Sequence, residues 1–354
     1  MSHERLLTSV VGSAAHPGWF DHAIAAAERG EFGAADLEEL LDDGVELAIR
    51  DQERAGIDVI TDGEMRRAGF FTAEFYHHLT GIHELPRTRR LGAGAHDALP
   101  RFAVAEAIRA PNGLGVVDEF VRAHRLTDRP FKVTLPGPFT LSGRLISGPG
   151  EIYPTRIAAA EAFVPILHDE IRGLADAGAS IIQVDEPSAA IHPSAGADFA
   201  SLLNEALAPA RGRARLGAHL CFGNFLGRPL APRTYRPILE AMLGFQVEEL
   251  VLEFANREMS EVELLGEITD AGRDVAVGVI DVKNSYVETA EDVARRTELV
   301  LEAGVAPDRL TLVPDCGFSQ TARWATTAKL KALVAGRDLV RGGSRNQERE
   351  EVRQ

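Results

Sequence analysis

The stretch Ser180–Pro187 reads SIIQVDEP, an almost unbroken apolar run followed by two carboxylates and a proline. Seven other segments share the design: Leu6–Ser13, Ile57–Glu64, Phe131–Pro138, Ala214–Gly223, Glu249–Asn256, Asp274–Lys283 and Leu310–Gly317. Runs such as VTL, LVLEF and VAVGVI are apolar at nearly every position, as strands buried on both faces of a parallel sheet must be. Between most of them the apolar residues return at helical spacing. Those stretches are Asp36–Ala55, Arg156–Ala177, Arg233–Val247, Ser260–Ala271, Thr289–Ala303 and Thr321–Ala335. Gly178 is placed to stop the second. Ser260 and Thr289 are placed as N-caps, and Glu263 gives Ser260 the better capping box.

Strands alternating with helices imply right-handed βαβ units. Eight of them predict an α/β fold, a (β/α)8 TIM barrel. An open doubly wound sheet is the alternative, but no GxGxxG follows the first strand. Residues 1–342 read as a single barrel. About 66 residues separate Glu64 from Phe131, too many for a simple crossover. The span of about 65–130 therefore reads as an insertion after strand two, a hairpin plus a helix covering one face. Residues 343–354 lack an apolar anchor and read as a disordered tail.

Composition removes several functions. The chain has 354 residues, with 38 Lys and Arg against 53 Asp and Glu, a formal charge of −15. That excess of acid argues against nucleic acid and anionic membranes as partners. No apolar run has the length of a membrane span, and the N-terminus lacks a secretory pattern, so a cytoplasmic location is expected. The two cysteines, Cys221 and Cys316, cannot build a disulfide framework.

Polar residues gather at the strand ends. They are Ser13, Asp62 and Glu64, Asp185 and Glu186, His219 and Cys221, Glu253, Asp281 and Lys283, and Asp315 and Cys316. In a (β/α)8 barrel these ends surround the active site. His219 and Cys221 lie two apart on one strand, so both face the same way. Taken alone, such a pair is more often core packing. The chain's other cysteine also ends a strand, and Glu253 ends a third. Two thiolates, an imidazole and a carboxylate suit Zn²⁺ with soft ligation. Ligands from three distant strands suit catalysis, and zinc can hold an incoming thiol as thiolate near neutral pH. Glu64 and Asp185, read blandly, are salt-bridge or cap residues. Read for chemistry, they accept a substrate ammonium, while Ser13 and nearby N–H groups hold a carboxylate. A thiol with both groups is an amino-acid thiol, of which homocysteine is the obvious candidate.

The segments TSVVGS, TDGE, LPGPFT, QVDEPS, HLCFGN, LEFANRE, VIDVK and VPDCGF resemble the successive motifs of the cobalamin-independent methionine synthase family, in its catalytic C-terminal barrel. The resemblance runs from about Leu6 to Arg341. It implies His219, Cys221, Glu253 and Cys316 as zinc ligands and Ser13, Glu64 and Asp185 as homocysteine contacts. The chain departs from the family in three ways. The long enzymes carry a second, N-terminal barrel, whereas these 354 residues suit one, so a short, core-type member is expected. Lys283 replaces a histidine used there in proton handling, and is read as positioning an anionic group. LPGPFTLSGRL lacks the tryptophan that stacks on the pterin of folate, so the methyl donor, folate or corrinoid, stays open.

The expected function is a zinc-dependent methyltransferase that converts homocysteine to methionine. Asp185 and Lys283 are its catalytic candidates, and displacement of Glu253 by the entering sulfur is one route. The short branch also resembles epoxyalkane:coenzyme M transferases, whose sulfonate substrate would call on Arg66, Arg67 and Lys283. A corrinoid or accessory protein is a candidate partner, and a partner-dependent zinc-binding methyl-acceptor subunit is a further reading. A metal-free barrel of the uroporphyrinogen decarboxylase type is opposed by HxC and Cys316. Trp19, Phe70, Phe71 and Phe75 are lid candidates, although aromatic residues are more often packing.

Overall fold

A computed structural model describes residues 6–67, 73–86, 100–224 and 227–351, without the side chains of 195–197 and 343–351. The first half runs β1 (Leu7–Thr8), α1 (Gly18–Glu28), α2 (Ala34–Ala55), α3 (Ala73–His77), β2 (Thr80–Glu84), β3 (Phe102–Arg109), α4 (Val116–Ala123), β4 (Lys132–Pro136), α5 (Pro138–Ser142) and α6 (Arg156–Asp176). Then come β5 (Ile181–Asp185), α7 (Pro187–Ile191), α8 (Gly196–Leu207), β6 (Arg215–Leu220), α9 (Leu239–Leu243) and β7 (Glu249–Leu252). The last elements are α10 (Leu264–Asp270), β8 (Asp274–Ile280), α11 (Ala290–Glu302), β9 (Leu310–Pro314) and α12 (Arg323–Glu351).

Seven strands form one parallel sheet in the order β1-β9-β8-β7-β6-β5-β4. The segment Ile57–Glu64, read from sequence as a strand, forms no ladder. It makes only two isolated parallel bridges, Ser9 to Val59 and Ile60 to Phe131. The Val59 and Ile60 N–H groups bond the Thr8 and Pro130 carbonyls, but side chains take two other backbone groups. The Thr61 N–H donates to Gln52 Oε1 at 3.0 Å, and the Ser9 hydroxyl donates to the Val59 carbonyl at 3.0 Å. The two bridges still connect β1 to the β4 edge, so the sheet curls in TIM-barrel fashion with a thin eighth position. Leu216, Leu250, Val275 and Ile182 are fully buried along these strands. Each such side chain contributes about 1.5–3 kcal/mol by leaving water.

Between Glu64 and β4 the chain builds the antiparallel pair β2–β3 and then α4. The hairpin is tied down by Phe102, which exchanges backbone bonds with Arg144 and Ile146 and stacks on Tyr76 at 4.5 Å. α6 ends where Gly178 takes φ +91°, as expected of a stop. The capping expectation inverts. Thr289 and Asp292 form the reciprocal box, whereas α10 starts at Leu264, not Ser260. Glu258, Met259 and Glu261 have left-handed φ angles there. The Glu261 carboxylate is engaged by Thr234, the Tyr235 N–H and Arg257, which holds the loop in that shape. The backbone of α12 is helical to Glu351, through most of the stretch read as a disordered tail. Among the described residues no helix is long and apolar enough to cross a membrane.

Candidate active site

Parallel pairing sets the side-chain neighbours. Asp185 on β5 pairs with His219 on β6, and Leu220 pairs with Leu252 on β7. Cys221 and Glu253 each follow one residue later, so they leave adjacent strands at one level. Lys283 follows β8 and Cys316 follows β9. The strands are parallel, so all of these residues meet at one end of the sheet.

His219, Cys221 and Cys316 form a cluster whose ligand atoms lie within 4.8 Å of one another. The two sulfurs are 3.8 Å apart. Two sulfurs each about 2.3 Å from a tetrahedral zinc would be about 3.8 Å apart. His219 Nδ1 faces the Val251 carbonyl at 3.1 Å, so it carries the proton there. Nε2 is buried and has no hydrogen-bond partner. A metal ligand with its second nitrogen anchored to a carbonyl has this arrangement. A donated hydrogen bond from Cys221 holds the Cys316 thiol well below its ordinary pKa against the opposing effect of burial. The residues present therefore fit a zinc ion.

Glu253 stands outside that cluster. Its Oε2 accepts from the Phe222 N–H at 3.2 Å and pairs with Lys283 Nζ at 2.6 Å. Oε1 is buried without a hydrogen-bond partner. Burial alone would lower the Lys283 pKa, but Glu253 first, then Cys316 and Cys221, raise it above its usual value. Lys283 is thus a buried cation facing anions, in keeping with its reading as a positioning group.

Two further residues brace these strand ends, and the sequence reading gave neither a role. Tyr235 donates its hydroxyl to the Leu220 carbonyl at 2.8 Å and accepts the Glu253 N–H at 2.8 Å. It ties the ends of β6 and β7 together. Asp315 accepts the N–H groups of Phe254, Ala255 and Asn256. It ties the residue before Cys316 to the turn after Glu253. Tyr235 falls in the stretch Arg233–Val247 read as helical, where an aromatic residue reads as packing, but it precedes α9 at Leu239–Leu243. Asp315 was visible as a strand-end acid, but its partners are distant in sequence.

Glu64 and Asp185 form the second part of the site. Glu64 is 5% exposed, accepts from the Thr134 hydroxyl at 2.7 Å, and has φ 55°. Such a conformation costs a non-glycine residue about 1 kcal/mol or more, and such strain gathers at functional sites. Burial raises its pKa from 4.5 to about 7. Arg67 opposes this and the Asp185 charge adds to it. Burial also raises Asp185 to about 6, against His219, Gln183 and Lys132. Gln183 Nε2 donates a hydrogen bond to Asp185 Oδ1 at 2.7 Å, and the buried Lys132 ammonium donates to Gln183 Oε1 at 2.6 Å. Two carboxylates whose pKa values are raised by burial would ionise more readily beside an entering cation.

Ser13 lies at the rim. Its carbonyl accepts the Phe318 N–H at 2.8 Å, and its hydroxyl lies over Gly317, where a Cβ would collide with it. Arg67, read as a solvated or sulfonate-binding group, is buried. It bonds Glu119 at 2.7 and 2.9 Å and the Thr134 carbonyl, and lies over the Phe75 ring. Arg66 pairs with Glu38 and Asp42. Of the lid candidates, Phe75 is buried packing and Trp19 is 50% exposed. Phe70 and Phe71 lie outside the described residues.

Two expectations arise here. A Cβ on Gly12 would lie 2.5 Å from Glu64 Oε1. Gly12→Ala should displace that carboxylate and weaken amino-acid thiol binding about tenfold or more, since a misplaced charged partner costs 1.5 kcal/mol or more. Metal content should stay unchanged. Calorimetric thiol titration beside metal analysis checks both. The second expectation is a pH dependence. A raised carboxylate pKa means the folded chain binds more protons than the unfolded one between about pH 4.5 and 7. Stability of the ligand-free protein should fall as pH rises through that window. Glu64→Gln should remove that part of the fall, as urea unfolding at several pH values would show.

The family model described as "Cobalamin-independent synthase, Catalytic domain" matches residues 6–337. A protein named methionine synthase from Sulfurisphaera tokodaii is 30% identical over 343 residues, covering 96% of this chain and 94% of that one. A methionine synthase from Thermococcus kodakarensis is 30% identical over 337 residues, covering 95% and 94%. A solved B12-independent methionine synthase from Shewanella sp. W3-18-1, in complex with selenomethionine, superposes with a TM-score of 0.79 at 28% identity, covering 96% of this chain and 98% of that one. The chain belongs to the cobalamin-independent methionine synthase family, whose catalytic domain spans nearly its whole length.

Proposed function

We propose that the protein is a zinc-dependent methyltransferase that methylates the thiol of homocysteine to give methionine, in the cytoplasm. One observation carries the reading. A thiol pair 3.8 Å apart and an unpartnered, buried His219 nitrogen share a rim with two buried carboxylates. His219, Cys221 and Cys316 would hold the zinc, with Glu253 beside them. Zinc, when bound, favours the thiolate form of the substrate near neutral pH and keeps it nucleophilic.

The remaining work falls to the chain's own side chains. Glu64 and Asp185 accept the substrate ammonium, and ionise as it binds. Ser13 and the N–H groups of its loop receive the carboxylate. These contacts fix the sulfur relative to the methyl donor, and alignment of this kind lowers the barrier. The sulfur–methyl bond forms as the donor–methyl bond breaks, and the thiol proton leaves to solvent.

Coenzyme M as the thiol is disfavoured by the same geometry. Its sulfonate needs free cations, but Arg67 is engaged by Glu119 and Glu64, and Lys283 by Glu253. The test is an activity matrix on zinc-loaded protein. Homocysteine and coenzyme M are crossed with methyl-folate, a methyl-corrinoid and an epoxide. Methionine formed with either methyl donor supports the reading, and the active donor names the donor class. Turnover of coenzyme M with the epoxide alone overturns it. Metal binding with turnover only after a partner protein is added makes the chain a methyl-acceptor subunit.

A further inference from the structure

We propose that Glu119, on the insertion helix α4, is a positioning residue that claims the Arg67 guanidinium and so leaves the Glu64 carboxylate free for the substrate ammonium. The proposal rests on the amino-acid thiol reading above and specifies how one of its carboxylates is kept available. It also gives the insertion between Glu64 and β4 a part in the substrate site.

Three observations carry this. The first is how Arg67 divides its bonds. Its Nε and Nη2 donate to Glu119 Oε2 at 2.9 and 2.7 Å, and Nη2 also donates to the Thr134 carbonyl at 2.9 Å. Glu64 Oε1 receives a longer contact, 3.5 Å from Nη1. Burial alone would lower the Arg67 pKa, but Glu119 first, then Glu64 and Asp62, raise it above its usual value. The second is burial. Arg67 is 4% exposed and lies over the Phe75 ring, so its charge is compensated by these neighbours rather than by water. The third is that α4 is fixed from outside the site. Glu170 on α6 accepts the Leu114 N–H at 2.6 Å and the Val117 N–H at 3.1 Å, and Val116 and Phe120 are buried. Glu119 is thus held against Arg67 by elements remote from the substrate.

Charge explains why this division serves an ammonium. One guanidinium stands between two carboxylates, which leaves the group one positive charge short. The entering ammonium supplies that charge. With Glu119 neutral, Arg67 would turn its bonds to Glu64 and form a closed pair. The ammonium would then meet a carboxylate already neutralised by a charge-assisted bond. The plainer alternative is an ion pair that only ties α4 to the barrel. It would act on every ligand alike, with no preference for an amine.

The test uses the full chain as wild type, Glu119→Gln, Glu119→Asp and the double variant Arg67→Met/Glu119→Gln, each checked for folding by circular dichroism. Calorimetry compares methionine with methylthiobutanoate, the same molecule without its amine. Neither ligand has a thiol to ionise, so their difference isolates the ammonium. Glu119→Gln should weaken methionine about tenfold or more, the effect of losing a charged hydrogen-bond partner. Methylthiobutanoate should stay within about threefold, because it never used Glu64. The double variant should regain methionine affinity relative to Glu119→Gln, since the competing cation is gone.

A Glu119→Gln protein that keeps the wild-type ratio of the two affinities overturns the proposal. So does equal weakening of both ligands, which marks a merely structural pair, and so does a double variant no better than Glu119→Gln. If Glu119→Gln fails to fold, Glu119→Asp decides. Its shorter reach should cost about threefold in the same ratio, and an unchanged ratio overturns the proposal. Wild-type protein that binds the two ligands alike, or neither, overturns the amino-acid thiol reading itself. That failure shows before any substitution is made, which tells it from the others.

Discussion

Cys316→Ser should empty the centre and abolish thiol methylation while leaving the barrel folded. Structural zinc contributes roughly 10–16 kcal/mol across four ligands, so one ligand accounts for about 3–4 kcal/mol. Metal affinity should then fall about 10²–10³-fold, since 1.4 kcal/mol is a factor of ten. Serine cannot substitute, because its hydroxyl stays protonated and its oxygen is a hard donor where the site offers sulfur. The barrel should survive because the Sγ of Cys316 supports no strand pairing, and the neighbouring brace runs through Asp315. Elemental analysis after dialysis, circular dichroism and methionine formation measure the three parts. A Cys316→Ser protein that keeps its zinc would sink the assignment of that cysteine.

Asp185→Asn should give the second large effect, on substrate rather than metal. Removing one partner of a buried charge pair costs about 2–5 kcal/mol, roughly 30-fold to several thousand-fold in affinity. The loss should fall on thiols that carry an ammonium. A thiol acid of similar length without the ammonium should bind the variant about as well as it binds wild type, or better, because one buried anion is gone. The measurement is the ratio of kcat/KM for homocysteine to that for the ammonium-free thiol, in both proteins. If the variant loses both substrates equally, Asp185 is not the ammonium site. Gln183 and Lys132 hold Asp185 in place, so the amide should sit where the carboxylate did.

The sequence reading failed at particular residues for physical reasons. Ile57–Glu64 has the composition of a barrel strand. Two of its backbone groups, the Thr61 N–H and the Val59 carbonyl, are taken by the Gln52 and Ser9 side chains, and nothing local announces that exchange. Ser260 and Glu263 have the spacing of a capping box. The Glu261 carboxylate, drawn to Thr234, Tyr235 and Arg257, bends the segment away from helix. Arg67 looked like a surface charge because burial cannot be read from a lone arginine. Glu119, which pairs with it, is 52 residues away.

By itself the sequence determined the alternation of buried strands and helices, the meeting of Glu64, Asp185, His219, Cys221 and Cys316 at one rim, and the kind of chemistry those side chains support. Those are consequences of periodicity, of strand direction and of the residue types themselves. Only the tertiary structure decided which atoms face which. It set the sulfurs 3.8 Å apart, left His219 Nε2 unpartnered, and turned Glu253 toward Lys283. Distance and burial in a folded chain depend on residues far apart along it, and local pattern carries no record of how their side chains share the interior.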